Sequence, residues 1–170
     1  INCATLPKER IDSELFGHVK GAFTGATQDY PGKIRQAEGG TVFLDEIGEL
    51  PSGCWGNLLR FLQEKEIHPM GGRTQTVDVR ILAATNKPER IPADALHRFD
   101  HQFHLPPLRA RRDAIPELAR ALFESVKIAA KRGSLRFTQA ERDRLAEADY
   151  DWPGNIRQLE KSILRAVLLH

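Results

Sequence analysis

The sequence predicts an α/β fold in which a parallel sheet with flanking helices precedes a small all-α lobe. Two short apolar segments, residues 41–44 and 79–84, have the length and the β-rich composition of buried strands in a parallel sheet. A helical pattern of about a dozen residues lies between them, as a crossover between parallel strands requires. Beyond Pro107 the apolar residues recur with helical spacing alone. We therefore expect an α/β core over residues 1–107 and a helical lobe over residues 108–170.

Each element of the predicted core follows from a local signal. Pro7 introduces a first helix that carries Ile11, Leu15 and Phe16 on one side. The Gly-rich residues 18–32 predict an exposed loop. The helix between the two strands begins after Pro51-Ser52. Its apolar face consists of Trp55, Leu58, Leu59 and Leu62.

Three helices are predicted in the lobe that follows. Residues 113–132 carry one apolar stripe, which consists of Ile115, Leu118, Ala119, Leu122, Val126 and Ala129. Thr138 and Glu141 have the spacing of a capping box, which begins a second helix. Pro153-Gly154 precede the last helix. Its apolar face consists of Ile156, Leu159, Ile163 and Val167.

Composition excludes several classes of protein. With 41% apolar and 28% charged residues, the chain can bury a core and is neither disordered nor collagen-like. A net charge of +2 is weak evidence for binding to nucleic acid. Only two cysteines, Cys3 and Cys54, are present, which excludes a disulfide scaffold and indicates a reducing compartment. The longest apolar runs are far shorter than the ~20 residues of a membrane-spanning helix.

Two carboxylates, Asp45 and Glu46, follow directly on the first predicted strand. Ligands of open α/β sheets bind at the carboxyl ends of the strands. One carboxylate can hold Mg²⁺ there while the other polarises a water molecule for attack. An ordinary acidic turn after a strand fits these two residues equally well.

Thr85-Asn86 ends the second predicted strand at the same edge of the sheet. The amide of Asn86 can orient a phosphate oxygen or a water molecule, and an Asx-turn explains it equally well. A phosphate-binding loop of the form G-x-x-x-x-G-K-[ST] is absent from these 170 residues. Gly32-Lys33 comes nearest, but Ile34 follows it and Thr27 occupies the place of the first glycine.

The segment GAFTGA surrounds one aromatic and one hydroxyl side chain with small residues. It consists of Gly21, Ala22, Phe23, Thr24, Gly25 and Ala26. An aromatic side chain on a glycine-flanked loop is either a contact point for a partner or a residue that folds back into the core. The residues alone leave both interpretations open.

With the sequence ELFGHVK before it, at residues 14–20, this segment resembles the signature loop of the sigma-54-dependent transcriptional activators. These are bacterial enhancer-binding proteins with an AAA+ ATPase domain. The resemblance continues, in the family's order, through GGTVFLDEIGELP with its Walker B motif at residues 39–51, LLRFLQE at 58–64, VRILAATN at 79–86, LPPLR at 105–109 and WPGNIRQL at 152–159.

This resemblance implies an AAA+ P-loop NTPase-type sheet, without its Walker A portion, and a helical lid. It implies an ATP- and Mg²⁺-dependent domain that remodels sigma-54 RNA polymerase at promoters in the bacterial cytoplasm. A homo-oligomeric ring, hexameric or heptameric, is implied once the domain is complete. DNA would be contacted only through domains that this chain lacks, and no membrane is involved.

The resemblance also assigns roles to individual residues at the nucleotide. Asp45 would serve Mg²⁺–ATP as the metal ligand, and Glu46 would activate the hydrolytic water. Asn2 matches the residue that holds this glutamate inactive until remodelling begins. Asn86 matches the sensor of the γ-phosphate, and Arg157 matches the lid arginine that reaches back to the nucleotide.

Arg98 matches an arginine finger that completes the active site of a neighbouring subunit. The family has a second arginine six residues earlier, where this chain has Pro92. The connection from Asn86 to Arg98 is also shorter than is usual, and whether Arg90 substitutes is open. In the loop at residues 21–26, Phe23 and Thr24 would form the tip that contacts sigma-54.

A second hypothesis is a truncated or degenerate homologue that binds its partner without hydrolysing ATP. The missing phosphate-binding loop and Pro92 favour it, so the sequence leaves enzyme activity open. The start at Ile1-Asn2-Cys3 instead suggests a domain that continues upstream. His97, His101 and His104 have helical spacing for a metal site, but the alternation of residues 99–105 favours an extended segment.

Overall fold

The computed structural model describes residues 1–169, which fall into two compact units, the first over Ile1–Gln102 and the second from Phe103 onward. In the first unit, Gln102 is tied back by a hydrogen bond from its Nε2 to the carbonyl of Leu96 at 2.9 Å. The structural division therefore lies a few residues before the division that the sequence predicts after residue 107.

A parallel pair of strands forms the centre of the first unit. Strand β1 (Thr41–Leu44) pairs with β4 (Arg80–Ala83), in a register that runs from Thr41 opposite Arg80 to Leu44 opposite Ala83. The predicted parallel arrangement of these strands is confirmed. Along the other edge of β1, the Asp45 amide donates to the carbonyl of Ile1 at 2.8 Å, and the Cys3 amide donates to the carbonyl of Asp45 at 2.9 Å. Three chain segments thus lie side by side at the end of β1.

Helices pack on one face of this sheet. They are α1 (Ile11–Phe16), α2 (Lys33–Gln36), α3 (Ser52–Glu64) and α4 (Ala93–Leu96). The fully buried members of the core include Leu15, Phe16, Leu44, Leu58 and Phe61. Because burial of this apolar surface drives the packing, the faces of α1 and α3 point inward as their spacing predicts.

Three local features of this unit differ from what the sequence predicts. The first helix begins at Ile11, since the Arg10 amide closes a turn on the carbonyl of Pro7 at 3.0 Å. The strands are not buried on both faces, because Phe43 is 49% exposed and Leu82, which pairs with it, is 46% exposed. A short antiparallel hairpin, β2 (Glu66–Ile67) and β3 (Gln75–Thr76), also follows α3, where no strand was predicted.

The second unit is a three-helix lobe. It contains α5 (Ile115–Ala129), α6 (Gln139–Glu147) and α7 (Asn155–Leu169), preceded by short 3-10 turns at Leu108–Ala110 and Arg112–Ala114.

Its core confirms most of the predicted apolar stripes. Ile115, Ala119, Leu159, Ile163 and Val167 are all buried. On α5, Phe123 is also buried, because it lies one turn from Ala119 on the inward face, whereas Ala129, which the predicted stripe included, is exposed.

The capping box is present at the start of α6. The Glu141 amide donates to Thr138 Oγ1 at 3.3 Å, and the Thr138 amide donates to Glu141 Oε2 at 2.8 Å. Across residues 1–169, the helices are too short or too polar to cross a membrane.

Candidate functional site

The carboxyl end of β1 presents Asp45 and Glu46, both half-buried. Asp45 Oδ1 accepts a hydrogen bond from the Glu46 amide at 3.1 Å. Glu46 has φ 55° and ψ 45°, a left-handed conformation that reverses the chain at once after the strand. The chain therefore turns sharply at Glu46, directly after Asp45, instead of continuing the strand.

The carboxyl end of β4 presents Thr85 and an exposed Asn86 at the same edge. The Ile47 amide donates to the carbonyl of Ala84 at 2.9 Å, which fastens the turn after β1 to the turn after β4. Thr85 Oγ1 accepts from the Lys87 amide at 3.0 Å. Parallel pairing thus brings Asp45, Glu46 and Asn86 to one edge of the sheet.

An ion-pair cluster also joins these two turns. Glu49 Oε1 lies 2.5 Å from Lys87 Nζ, and Arg90 Nη1 donates to both Glu49 carboxylate oxygens at 3.0 and 3.1 Å. The hydrogen bond from Lys87, followed by the charges of Arg90 and Lys87, holds the pKa of Glu49 below its ordinary value. Sequence reasoning missed this cluster, because its partners lie about forty residues apart.

Asn2 lies on the opposite side of β1 and forms an isolated parallel bridge with Asp45. Its Oδ1 accepts from the amide of Ala4 at 2.9 Å, so the side chain closes a local Asx-turn. The neighbouring Cys3 is 2% exposed, and burial raises the pKa of its thiol to about 11. Cys3 therefore packs beside the site as a buried thiol whose thiolate form is disfavoured.

The donor set at this edge fits Mg²⁺ held jointly with phosphate. Mg²⁺ keeps several waters and takes only one or two protein carboxylates beside its phosphate ligands. Asp45 can supply such a carboxylate through the oxygen that does not bind the Glu46 amide. Residues 1–169 contain no group of three His, Cys, Asp or Glu side chains able to enclose a metal ion by themselves.

Arg98 lies in the same unit but apart from these residues, just beyond α4. Its guanidinium donates to Gln63 Oε1 on α3, and its Nε is buried without a hydrogen-bond partner. Arg90, which the sequence left open as a substitute, is engaged with Glu49. The hydrogen bonds that these two guanidinium groups donate therefore go to Gln63 and Glu49.

Residues 18–30 form a closed loop that carries the GAFTGA segment. His18 and Tyr30 exchange amide-to-carbonyl hydrogen bonds of 2.8 Å, which close the base of the loop. Phe23 is half-buried and packs edge-to-face on the His18 ring, with ring centroids 5.0 Å apart. Thr24 and Gly25 are exposed, and Ala26 is buried. Phe23 is therefore neither fully exposed nor part of the core.

The closed base requires glycine at two positions that flank this loop. Gly17 has φ +91° and Gly32 has φ +81°. A Cβ at Gly32 would lie 2.4 Å from the backbone nitrogen of Gly17, and one at Gly17 would lie 2.4 Å from the carbonyl oxygen of Tyr30. Only glycine allows the two chain segments to approach this closely.

Arg157 lies in the second unit, exposed on the first turn of α7. It lines an open cavity of about 390 Å³ together with Arg111, Asn155 and Ile156. Asn155 Oδ1 accepts from the amide of Leu108 at 2.7 Å and fixes the start of the helix against the segment before α5. The side chain of Arg157 is thus presented on a helix end that the lobe holds in place.

Family models match the chain from end to end. The model described as "Sigma-54 interaction domain" matches residues 1–108, and the model described as "AAA+ ATPase lid domain" matches residues 109–170. Regulatory protein LuxO of Vibrio cholerae is 47% identical over 99% of this chain and 33% of that protein. The DNA-binding transcriptional activator HyfR of Escherichia coli is 45% identical over 99% of this chain and 26% of that protein.

The fold agrees with solved structures of a related regulator. NtrX from Brucella abortus, in crystal structures with ADP and with ATP, superposes with a TM-score of 0.81 in each case. The sequences are 28% identical, and the match covers 99% of this chain and 38% of NtrX. The chain spans about a third of the length of the curated relatives it matches. It belongs to the sigma-54 interaction domain family of AAA+ proteins, with an AAA+ lid domain as its second part.

Proposed function

We propose that this chain forms part of an ATP-driven domain that remodels sigma-54 RNA polymerase at promoters. The observation that carries the proposal is the meeting of Asp45, Glu46 and Asn86 at one edge of a parallel sheet. The same compact unit carries the GAFTGA loop. Relatives named as transcriptional regulators, and NtrX structures with ADP and with ATP, support the assignment.

Hydrolysis is divided among the residues of the sheet edge. Asp45 would hold Mg²⁺, which when bound neutralises charge on the phosphate oxygens. Glu46 accepts a proton from the attacking water and orients it. Asn86 donates its amide to a phosphate oxygen and so distinguishes ATP from ADP. Asn2 restrains Glu46 through the isolated bridge that it forms with Asp45.

Two arginines extend the proposed site beyond this edge. Arg157 binds the nucleotide from the lid, and Arg98 serves the site of a neighbouring subunit in a hexameric or heptameric ring. Each subunit then completes its neighbour's site, which is the arrangement that closes a ring with head-to-tail contacts. Gln63 accepts a hydrogen bond from Arg98 within the chain. In the ring, Gln63 would either release Arg98 to the neighbouring subunit or hold the Arg98 side chain in position for it.

The ATPase cycle acts on sigma-54 through the loop at residues 18–30. We assign Phe23 and Thr24 to the contact with sigma-54, because Thr24 is exposed and Phe23 is half-exposed on a rigid base. Promoter or enhancer DNA is contacted through other segments. Since its partner is the bacterial transcription machinery, we place the protein in the cytoplasm.

An ATPase assay of the polypeptide as its gene encodes it tests the hydrolytic part. Glu46→Gln is expected to lower turnover by about 10²- to 10⁴-fold, because the amide cannot take the proton from water. Glu89→Gln is the matched control on an exposed glutamate of the same unit and should leave turnover unchanged. Equal turnover of Glu46→Gln and wild type would remove Glu46 from the mechanism.

A binding assay with purified sigma-54 and ATP tests the mechanical part. Thr24→Ala is expected to abolish binding, whereas Thr27→Ala, on an exposed threonine of the same loop, should not. Sigma-54 binding without any ATPase activity would instead establish the non-hydrolysing interaction module.

A further inference from the structure

His18 is the joint at which the GAFTGA loop is attached to the rest of the first unit. His18 forms two backbone hydrogen bonds with Tyr30 on one side. Its neighbours Gly17 and Val19 pair with Met70 on the other side. The Met70 amide donates to the carbonyl of Gly17 at 2.9 Å, and the Val19 amide donates to the carbonyl of Met70 at 3.0 Å. The backbone at His18 is therefore held from both sides.

The imidazole ring of His18 is held as firmly as its backbone. Its Nδ1 lies 2.7 Å from Oγ of Ser13, which projects from α1 and is only 5% exposed. Tyr30 packs on the ring at a centroid distance of 5.7 Å. A buried hydroxyl on one side and an aromatic ring on another leave the imidazole little rotational freedom.

Phe23 rests on this fixed ring at the tip of the loop. The two ring planes meet at 64° with centroids 5.0 Å apart, which is the edge-to-face geometry that aromatic pairs prefer. The backbone of the tip is folded as well, since Gly21 donates to the carbonyl of Ala26 at 2.8 Å and Ala26 donates to that of Phe23 at 3.0 Å. Of the tip side chains, Phe23 is the one that His18 supports.

We propose that His18 is a positioning residue that holds Phe23 in the conformation in which the loop binds sigma-54. Ser13 in turn fixes the His18 ring. A large side chain on a loop between two glycines would otherwise be mobile. The conformational entropy lost when it becomes ordered on binding would then lower the affinity for sigma-54. This inference rests on the proposed function, which supplies the partner.

The test is a double-mutant cycle on sigma-54 binding. It uses the polypeptide as its gene encodes it, with purified sigma-54 and ATP, in a Glu46→Gln background that preserves the nucleotide. His18→Ala is expected to raise the Kd about three- to tenfold, the range that corresponds to one aromatic pair. His18→Ala added to Phe23→Leu should raise the Kd no further than Phe23→Leu alone, because the two residues act through one contact.

Further variants separate positioning from folding. His18→Asn keeps a polar atom for Ser13 but removes the ring, so it should weaken binding as His18→Ala does. His104→Ala, on an exposed histidine of the other unit, is the control and should bind as wild type. Thermal unfolding of each variant by circular dichroism identifies any that fail to fold. If a His18 variant does not fold, the chemical shift of the His18 ring proton is measured in the Phe23→Leu variant instead. Loss of the Phe23 ring from its contact with His18 must change that shift.

The outcomes are distinguishable. If wild type and His18→Ala bind sigma-54 equally while Phe23→Leu does not bind, the inference is wrong and the proposed function stands. Independent, additive effects of the two substitutions, or an unmoved His18 proton shift in Phe23→Leu, also overturn the inference. If the wild type itself does not bind sigma-54, the proposed function fails and the inference fails with it.

Discussion

Gly48 is the residue at which a single methyl group would strain the candidate site. It is buried in the 3-10 turn Ile47–Glu49 after β1, where it faces the turn after β4. A Cβ at this position would lie 2.8 Å from Thr85 Oγ1 and 3.0 Å from the carbonyl oxygen of Lys87. We therefore predict that Gly48→Ala destabilises the first unit and displaces Asn86, which lies between those two residues in sequence.

The size of the effect follows from what must move. The Lys87 carbonyl belongs to the backbone, and the hydrogen bond from Ile47 to Ala84 and the ion pairs of Glu49 prevent the two turns from separating. Overpacking of this kind costs about 1–3 kcal/mol. By contrast, a Cβ at Gly53 or Gly56 in α3 meets no atom within 4 Å. Alanine there should stabilise the helix by about 0.5–1 kcal/mol.

Urea unfolding followed by tryptophan fluorescence measures both effects. The chain has two tryptophans, so a Trp152→Phe background leaves Trp55, which is buried in the first unit, as the reporter. Gly48→Ala should lower the midpoint by on the order of 1 M at an unchanged slope, and Gly53→Ala should raise it. A Gly48→Ala midpoint at or above that of the background protein would refute the assignment of strain to these contacts.

Three further predictions follow from charges, caps and thiols. Because the folded-state pKa of Glu49 is lowered, its ion pairs with Arg90 and Lys87 stabilise the fold above the ordinary glutamate pKa, and this contribution is lost as the pH falls through the lowered value. Glu49→Gln should flatten the acid limb of a plot of urea midpoint against pH. Thr138→Ala removes the cap of α6 and should cost the second unit about 1 kcal/mol, measured by urea unfolding with the Trp152 signal. Cys3 and Cys54, whose pKa values burial raises to about 11, should react with a thiol reagent slowly in native protein and rapidly in urea; fast native labelling would contradict their burial.

The parts of the fold that the sequence predicts are those with a local signal. The run at residues 41–44 stands between Gly39-Gly40 and two carboxylates, so its extent and its polar end are readable from neighbours in sequence. The spacing of the capping box places the N-cap of α6 at Thr138 to the residue. In both cases the chemistry that decides the structure lies within one turn or one strand of chain.

The parts that sequence reasoning missed depend on contacts across the chain. The strands of the hairpin are two residues each, too short for a period to show, although Gly71-Gly72 marks its turn. The pairing of Glu49 with Arg90 joins residues 41 positions apart. The exposure of Phe43 could not be predicted, because the strand is apolar throughout. Without an alternation of polar and apolar residues, the sequence does not indicate which face of the strand the helices cover.

The left-handed backbone at Glu46 has a consequence for the balance between activity and stability. A non-glycine residue in this conformation costs of order 1 kcal/mol, so the position that we assign to catalysis is also a reservoir of strain. Glu46→Gly relieves the strain while it deletes the carboxylate, and we expect an inactive protein that unfolds no earlier than wild type. A chain selected for stability alone would favour glycine at this position, so the catalytic role that we propose for Glu46 carries a cost in stability.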